Sequence, residues 1–332
     1  MGRMKSRGVL AGVAAITVAL GLAQAGRAQA GAATAMEQAE PQLVIVDTDI
    51  GDDIDDAFAL ALLLRSPEVK VLGVTTAFGD TELRAQLVDR FLAAVGRQEI
   101  PVEAGVATQA NNRFTQAAYA RAWPARAHDN AVDFLLDQIR AQPGKITLIA
   151  IGPLFNVEAA IARDPDTFRK LRRVVMMGGS IDRGYDDGNP AAQAPPSAEW
   201  NIHCDPAGAR ALLASGVPVF MMPLDSTQIR LTQEQLGTIL AHGSPLTDQL
   251  TLLYHQWTGA GPWKMPTLYD PVAAAYAIRP DLCPATPIRL EVDDNGFTRP
   301  VAGEPNAQVC LKSDESGLVG FLMGRILSET GQ

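Results

Sequence analysis

Short runs rich in β-branched residues alternate along this chain with longer stretches whose apolar positions recur every three or four residues. Leu43-Val44-Ile45-Val46, Val69 to Thr76, Ile146 to Ile151, Arg173 to Met177 and Val217 to Met222 are of the first kind, and such runs predict buried strands. The second kind opens with Ala57-Phe58-Ala59-Leu60-Ala61-Leu62-Leu63-Leu64. It continues over Thr81 to Val95, where Leu83, Leu87, Phe91, Leu92 and Val95 keep helical spacing and Thr81 is the expected N-cap. A short strand is expected near Pro101 to Gly105, and further helices over 130–141, after Gly152-Pro153, over 206–214, through 232–257, over 272–279 and from about Glu315. Two C-terminal strands are expected at Ile288 to Val292 and Gln308 to Leu311. Strand and helix in alternation predict an α/β fold with a mostly parallel sheet and flanking helices. Residues 106–129 and 180–198 carry no period, and loops of that length inside a domain commonly bind ligands.

The first 41 residues do not share this pattern. Arg3, Lys5 and Arg7 precede an uncharged apolar run from Gly8 to about Ala23, and Ala28-Gln29-Ala30 offers a small-x-small cleavage site. Together these predict a secretory signal peptide over 1–30, a flexible leader over 31–41, and a single domain over 42–330. The mature protein is then expected to be periplasmic or secreted, and not membrane-bound. Its charge is also strongly acidic: without residues 1–30 there remain 24 basic and 37 acidic side chains, a net charge of −13. A basic nucleic-acid-binding surface is therefore not expected. Cys204, Cys283 and Cys310 lack CxxC spacing, and read mainly as small buried hydrophobes of which at most two can pair.

The stretch that concentrates chemistry is Asp47-Thr48-Asp49-Ile50-Gly51-Asp52-Asp53-Ile54-Asp55-Asp56, six carboxylates in ten residues between the first strand and the first helix. In an open α/β sheet ligands bind at the carboxyl ends of the strands. Two carboxylates about 4 Å apart repel by about 1 kcal/mol in water and by about 4 kcal/mol at an effective dielectric of 20. Several gathered at one strand end therefore call for a hard, oxygen-liganded divalent cation. Helix-dipole stabilisation alone accounts for Asp55 and Asp56, but not for Asp47, Asp49 and Gly51. An EF-hand loop fails, because counting from Asp47 puts Asp52 at the obligatory Gly and Phe58 at the bidentate Glu. Further polar groups recur at strand ends, at Asp80, the Ile151 turn, the Gly178 turn and Asp225, with Asp270 late in the chain. A crevice so rich in carboxylates suits a hydroxyl-rich ligand such as a sugar and repels phosphate, and no P-loop or GxGxxG is present. Trp123, Trp200 and Tyr269 lie in or beside polar loops, where aromatics suit a stacking planar base.

In order, Asp47-Thr48-Asp49 with Asp55-Asp56, Thr75-Thr76, Gly152-Pro153-Leu154-Phe155-Asn156, Met177-Gly178-Gly179, Ala198-Glu199-Trp200-Asn201-Ile202 and Asp270-Pro271 resemble the nucleoside hydrolase family over residues 42–330. The resemblance implies a Ca²⁺-dependent N-ribohydrolase of nucleosides on a mostly parallel, Rossmann-like mixed sheet, assembled as a homodimer or homotetramer. It places Asp49 as Ca²⁺ ligand and general base. Asp56, Asp270 and the Ile151 carbonyl would be the other protein ligands, and Asp55, Met177, Asn189, Glu199 and Asn201 would hold the ribose. Two departures from the family pattern matter. The opening motif is two residues longer between Gly51 and Asp55, and Tyr269 stands where the inosine-uridine type has a His. Glu199-Trp200-Asn201, Asp80 and an aromatic at 269 are instead similar to the purine-specific, inosine-adenosine-guanosine branch. There the base stacks between aromatics, with Trp123 as the expected partner here. The expectation is hydrolysis of purine ribonucleosides to base and ribose. The alternatives are a pyrimidine or broad-specificity hydrolase and a non-catalytic nucleoside- or sugar-binding protein.

Overall fold

The computed structural model describes residues 40–109, 114–186, 194–259 and 264–328; the segment expected as a signal peptide, most of the expected leader and Asn189 lie outside them. Eight strands form one sheet: β1 (Gln42–Thr48), β2 (Val69–Thr76), β3 (Val102–Ala104), β4 (Ile146–Ala150), β5 (Arg173–Met177), β6 (Val219–Met222), β7 (Thr286–Ile288) and β10 (Ala307–Val309). β8 (Leu290–Val292) and β9 (Thr298–Pro300) form a separate antiparallel pair. The order in the large sheet is β3-β2-β1-β4-β5-β6-β10-β7, parallel throughout except for β7. Residues Pro41–Gln332 form one compact unit. No helix among the described residues is long and apolar enough to cross a membrane.

The central strands are buried on both faces, which explains why they read as continuous apolar runs. Side chains alternate between two layers. Val44, Val46 and Ile149 enter the core shared with helices Asp55–Leu64 and Tyr269–Ile278, whereas Ile45, Leu148 and Ala150 enter the one shared with Ala131–Ala141 and Phe155–Arg163. Helix Asp55–Leu64 is buried along its whole length, as expected of a helix apolar on all sides.

Several sequence expectations need correction. Helix Thr81–Ala94 is capped by Asp80, whose carboxylate accepts the Leu83 N–H at 3.0 Å, and not by Thr81. Residues 106–129 include a short helix, Ala117–Arg121. Their distal end is tied to helix Thr81–Ala94 by Arg126 on Asp89 and by His128 between Glu82 and Asp89. Burial works against a charged His128 ring, but its hydrogen bonds to the two carboxylates win and raise its pKa. The C-terminal segment expected as two strands forms four, and β10 enters the sheet between β6 and β7.

Cys283 and Cys310 are fully buried, as expected of small hydrophobes, and they are also joined by a disulfide across 27 residues, with Cα atoms 5.7 Å apart. Closing a loop of that size stabilises by about 2–4 kcal/mol. The double variant Cys283→Ala, Cys310→Ala is therefore expected to melt roughly 5–10 °C lower while its KM stays unchanged. A melting midpoint equal to that of the oxidised wild type would show that the cross-link contributes nothing.

Candidate active site

The sheet order reverses at β1: β2 and β3 lie on one side of it, β4 to β6 on the other. The chain therefore leaves the carboxyl ends of β1 and β4 in opposite directions, which opens a crevice between them. The acidic turn follows β1, and Ile151 follows β4. Gly51 sits at φ +127° with the Phe114 ring against it, and a Cβ there would stand 2.0 Å from that ring. Only glycine meets both demands.

Two buried helices start in this crevice. Asp55 and Asp56 occupy the first turn of Asp55–Leu64, Asp270 the first turn of Tyr269–Ile278, and the two helices pack together. Oxygens of Asp55, Asp56 and Asp270 all lie within 4.8 Å of one another, and each residue is 4 % exposed. The Asp270 N–H donates to Asp55 Oδ2 at 3.3 Å, and the Thr48 hydroxyl donates to Asp56. Burial, then repulsion by neighbouring carboxylates (Asp53 and Asp49 among them), pushes all three carboxyl pKa values well above the usual range. Burial also raises Asp49 to about 7; the Arg84 guanidinium opposes that rise, and Asp52 and Glu199 add to it. These close, desolvated oxygens, with helix N-termini offsetting only part of the repulsion, are a donor set that fits a hard divalent cation.

Hydrogen-bonded groups line the other side. Glu199 caps helix Trp200–Cys204: Oε1 accepts the Asn201 N–H at 2.9 Å, while Oε2 accepts those of Gly179 (3.0 Å) and Ile202 (3.2 Å). Burial raises the Glu199 pKa, and these three N–H groups hold the rise back. Asn201 Nδ2 donates to the carbonyls of Met177 (3.2 Å) and Ile151 (3.4 Å), joining the ends of β4 and β5. Asp47 faces inward, accepting from Thr75 (2.5 Å) and Asn156 (2.7 Å); burial raises it to about 6. It supports the turn and does not line the cavity.

The cavity has a volume of about 470 Å³. Asp49, Asp55, Asp56, Asp270, Ile151, Met177, Glu199, Trp200, Asn201 and Tyr269, all named from sequence, line it. Asp80 and Trp123 do not: Asp80 is an exposed helix cap, and Trp123 is 37 % exposed, with its carbonyl taking the Gln86 amide. Asp225 is also outside, holding the N–H groups of Ile181 (2.9 Å) and Asp182 (2.7 Å). Sequence reasoning missed Tyr185, Trp257, Lys264 and Thr115 on the wall and Arg84 behind it. Tyr185 meets Tyr269 edge to face at 6.2 Å and accepts the Trp200 N–H at 3.0 Å. Lys264 Nζ lies 4.0 Å from the Trp257 ring centre. Arg84 had a legible signal, a charge on the face shared by buried Val88 and Phe91; the others sit in segments without a period.

A crevice at a sheet crossover, with a carboxylate floor and aromatic walls, defines an enzyme of the α/β class. The chain belongs to the inosine-uridine preferring nucleoside hydrolase family, whose family model matches residues 44–319, and it is an enzyme that hydrolyses nucleosides. The pyrimidine-specific ribonucleoside hydrolase RihA of Citrobacter koseri is 30% identical over 321 residues, covering 85% of this chain and 97% of that one. Uridine nucleosidase 1 of Arabidopsis thaliana is 28% identical over 260 residues, covering 72% and 74%. Among solved structures, the plant nucleoside hydrolase PpNRh1 superposes with a TM-score of 0.76 at 26% identity, covering 87% and 99%. A purine-preferring ribonucleoside hydrolase from Gardnerella vaginalis does so with a TM-score of 0.73 at 24% identity, covering 86% and 98%.

Proposed function

We propose that the protein is a Ca²⁺-dependent, purine-preferring ribonucleoside hydrolase that works outside the cytoplasm. The observation that carries this reading is the pairing of a buried carboxylate floor with four aromatic side chains, Tyr185, Trp200, Trp257 and Tyr269, around one cavity. Asp49, Asp56, Asp270 and the Ile151 carbonyl would hold the cation. When bound, it would neutralise the floor, ligate ribose hydroxyls and make a coordinated water more acidic. Asp49 takes a proton from the attacking water as general base. Asp55, Glu199 and Asn201 hold the ribose, and the negative charge around the sugar favours the oxocarbenium-like transition state of glycosidic cleavage.

The base then departs among aromatics. Tyr269 replaces an imidazole at that wall, and no histidine lines the cavity among the described residues, which favours the base that is itself easiest to protonate. The names of the relatives that act on pyrimidines and uridine support a second reading, in which uridine or cytidine is preferred. A buried disulfide suits an oxidising compartment and supports export through residues 1–30. Assembly as a homodimer or homotetramer belongs to the same proposal.

The test is ribose release from inosine, guanosine, adenosine, uridine and cytidine, with and without chelator. Purine kcat/KM at least about tenfold above pyrimidine, lost on chelation and restored by Ca²⁺, is the expected outcome. The reverse ranking would establish the second reading, and binding without release from any substrate would reduce the protein to a nucleoside receptor.

A further inference from the structure

Residues 49–53 bring three carboxylates to the cavity, yet they belong to no helix or strand. Their backbone has no ladder of its own, and donors from outside the turn hold it instead. Arg84 Nη1 donates to the carbonyls of Asp49 and Ile50, the latter at 2.9 Å. From the loop that carries Thr115, the Gln116 N–H donates to the Gly51 carbonyl (3.0 Å), the Thr115 hydroxyl to that of Asp52 (2.7 Å) and Gln116 Nε2 to that of Asp53 (2.5 Å). Five successive carbonyls are thus fixed by two separate segments.

None of the roles above uses Arg84, which is only 1 % exposed. Its Nη2 donates to Asp52 Oδ2 at 2.8 Å and its Nε to the carbonyl of Phe78 at 2.7 Å. Phe78 lies just past β2 at φ +65°, a conformation that a bulky side chain keeps only where its surroundings impose it. The guanidinium therefore ties the turn after β1 to the turn after β2. It also lies over the Phe114 ring, 4.9 Å from its centre, and that ring packs on Gly51. A planar fork with donors on three nitrogens makes these four hydrogen bonds at once, whereas the single nitrogen of a lysine cannot.

A ligand group that is already fixed binds a cation without first being ordered by it. Building on the cation site of the hydrolase reading, we propose that Arg84 is a positioning residue that presets the acidic turn for the metal. By fixing the Asp49 and Ile50 carbonyls it sets the direction in which the Asp49 carboxylate leaves the chain before any cation arrives. Arg84 acts through Asp49 and takes no part in the bond changes.

Arg84→Lys tests this, because it keeps the charge and removes the fork, so a changed cation affinity reports geometry and not electrostatics. Calorimetric titration of CaCl₂ into the chelator-stripped protein is expected to give a dissociation constant about 10- to 100-fold above that of wild type. At saturating Ca²⁺, kcat and KM for the nucleoside should stay within about fivefold of wild type. An unfolded fraction lowers the number of sites titrated and not the dissociation constant, so lost stability alone does not imitate the result. A rise of less than about tenfold overturns the inference. So does a kcat that stays more than about fivefold low at saturating Ca²⁺, which would place the effect of Arg84 on the chemistry. Should the variant not fold, stripped wild type decides: the amides of residues 49–53 should exchange hydrogen at least about 100-fold more slowly than an unstructured chain, and faster exchange would show a turn that is not preset. A wild type that binds no Ca²⁺ would overturn the cation reading first and this inference with it.

Discussion

Asp49→Asn will lower kcat by about 10³-fold or more at saturating Ca²⁺, while KM for the nucleoside changes little. A positioned general base contributes roughly 10²- to 10⁴-fold, and Asp49 is also assigned to the cation, so the loss belongs at the upper end of that range. Folding should not suffer. Asp49 is 8 % exposed, and burial pushes its carboxyl up to about 7, so the neutral isostere removes a charge that the fold resists. The melting midpoint of the metal-free variant should equal or exceed that of metal-free wild type. Ribose release and thermal melts measured side by side decide the matter. Activity within tenfold of wild type would remove Asp49 from the chemistry, and a lower melting midpoint would make it a structural residue.

Stripping the divalent cation should make stability fall as pH rises. Burial raises the Asp49 carboxyl from its ordinary 3.8 to about 7 in the folded protein, and Asp55, Asp56 and Asp270 are raised well above theirs. A carboxyl whose folded pKa is raised binds more protons folded than unfolded, so its contribution is complete below about pH 4 and is lost as pH climbs through the folded value. Asp49 alone accounts for on the order of 4 kcal/mol across that window. The metal-free protein should therefore melt roughly 5–10 °C lower at pH 8 than at pH 5. Saturating Ca²⁺ should abolish most of that slope, because the cation takes over the charge balance. Melts at the two pH values, with chelator or with Ca²⁺, measure it; a chelated protein with no slope would show that folding leaves these carboxyl pKa values unshifted.

Most of the floor was legible because it is coded locally. Asp49, Asp55 and Asp56 lie where a strand pattern gives way to a helix pattern, and Asp270 precedes a second apolar helix in the same way. Carboxylates at such junctions face a crevice if the sheet is parallel, and it is. The same logic failed at Asp80, because a carboxylate after a strand can equally well turn back to cap the helix that follows. Trp123 failed for another reason: in an aperiodic loop nothing local says which way a ring points. Tyr185, Trp257 and Lys264 reach the cavity only through tertiary folding of distant segments. The disulfide gave no sign because spacing says nothing about pairs 27 residues apart. The position of β10 between β6 and β7 is likewise set by non-local pairing, which leaves no periodic trace.

The large sheet ends in two very short strands. β3 and β7 are three residues each, and β7 carries Pro287 opposite Gln308. A short edge offers few free N–H and C=O groups, and proline removes a donor from one of them. Open sheets invite strands from other molecules to extend them, which is the first step towards fibrils. This sheet offers little template at either end, so a population crowded or partly unfolded by heat is guarded against edge-to-edge polymerisation.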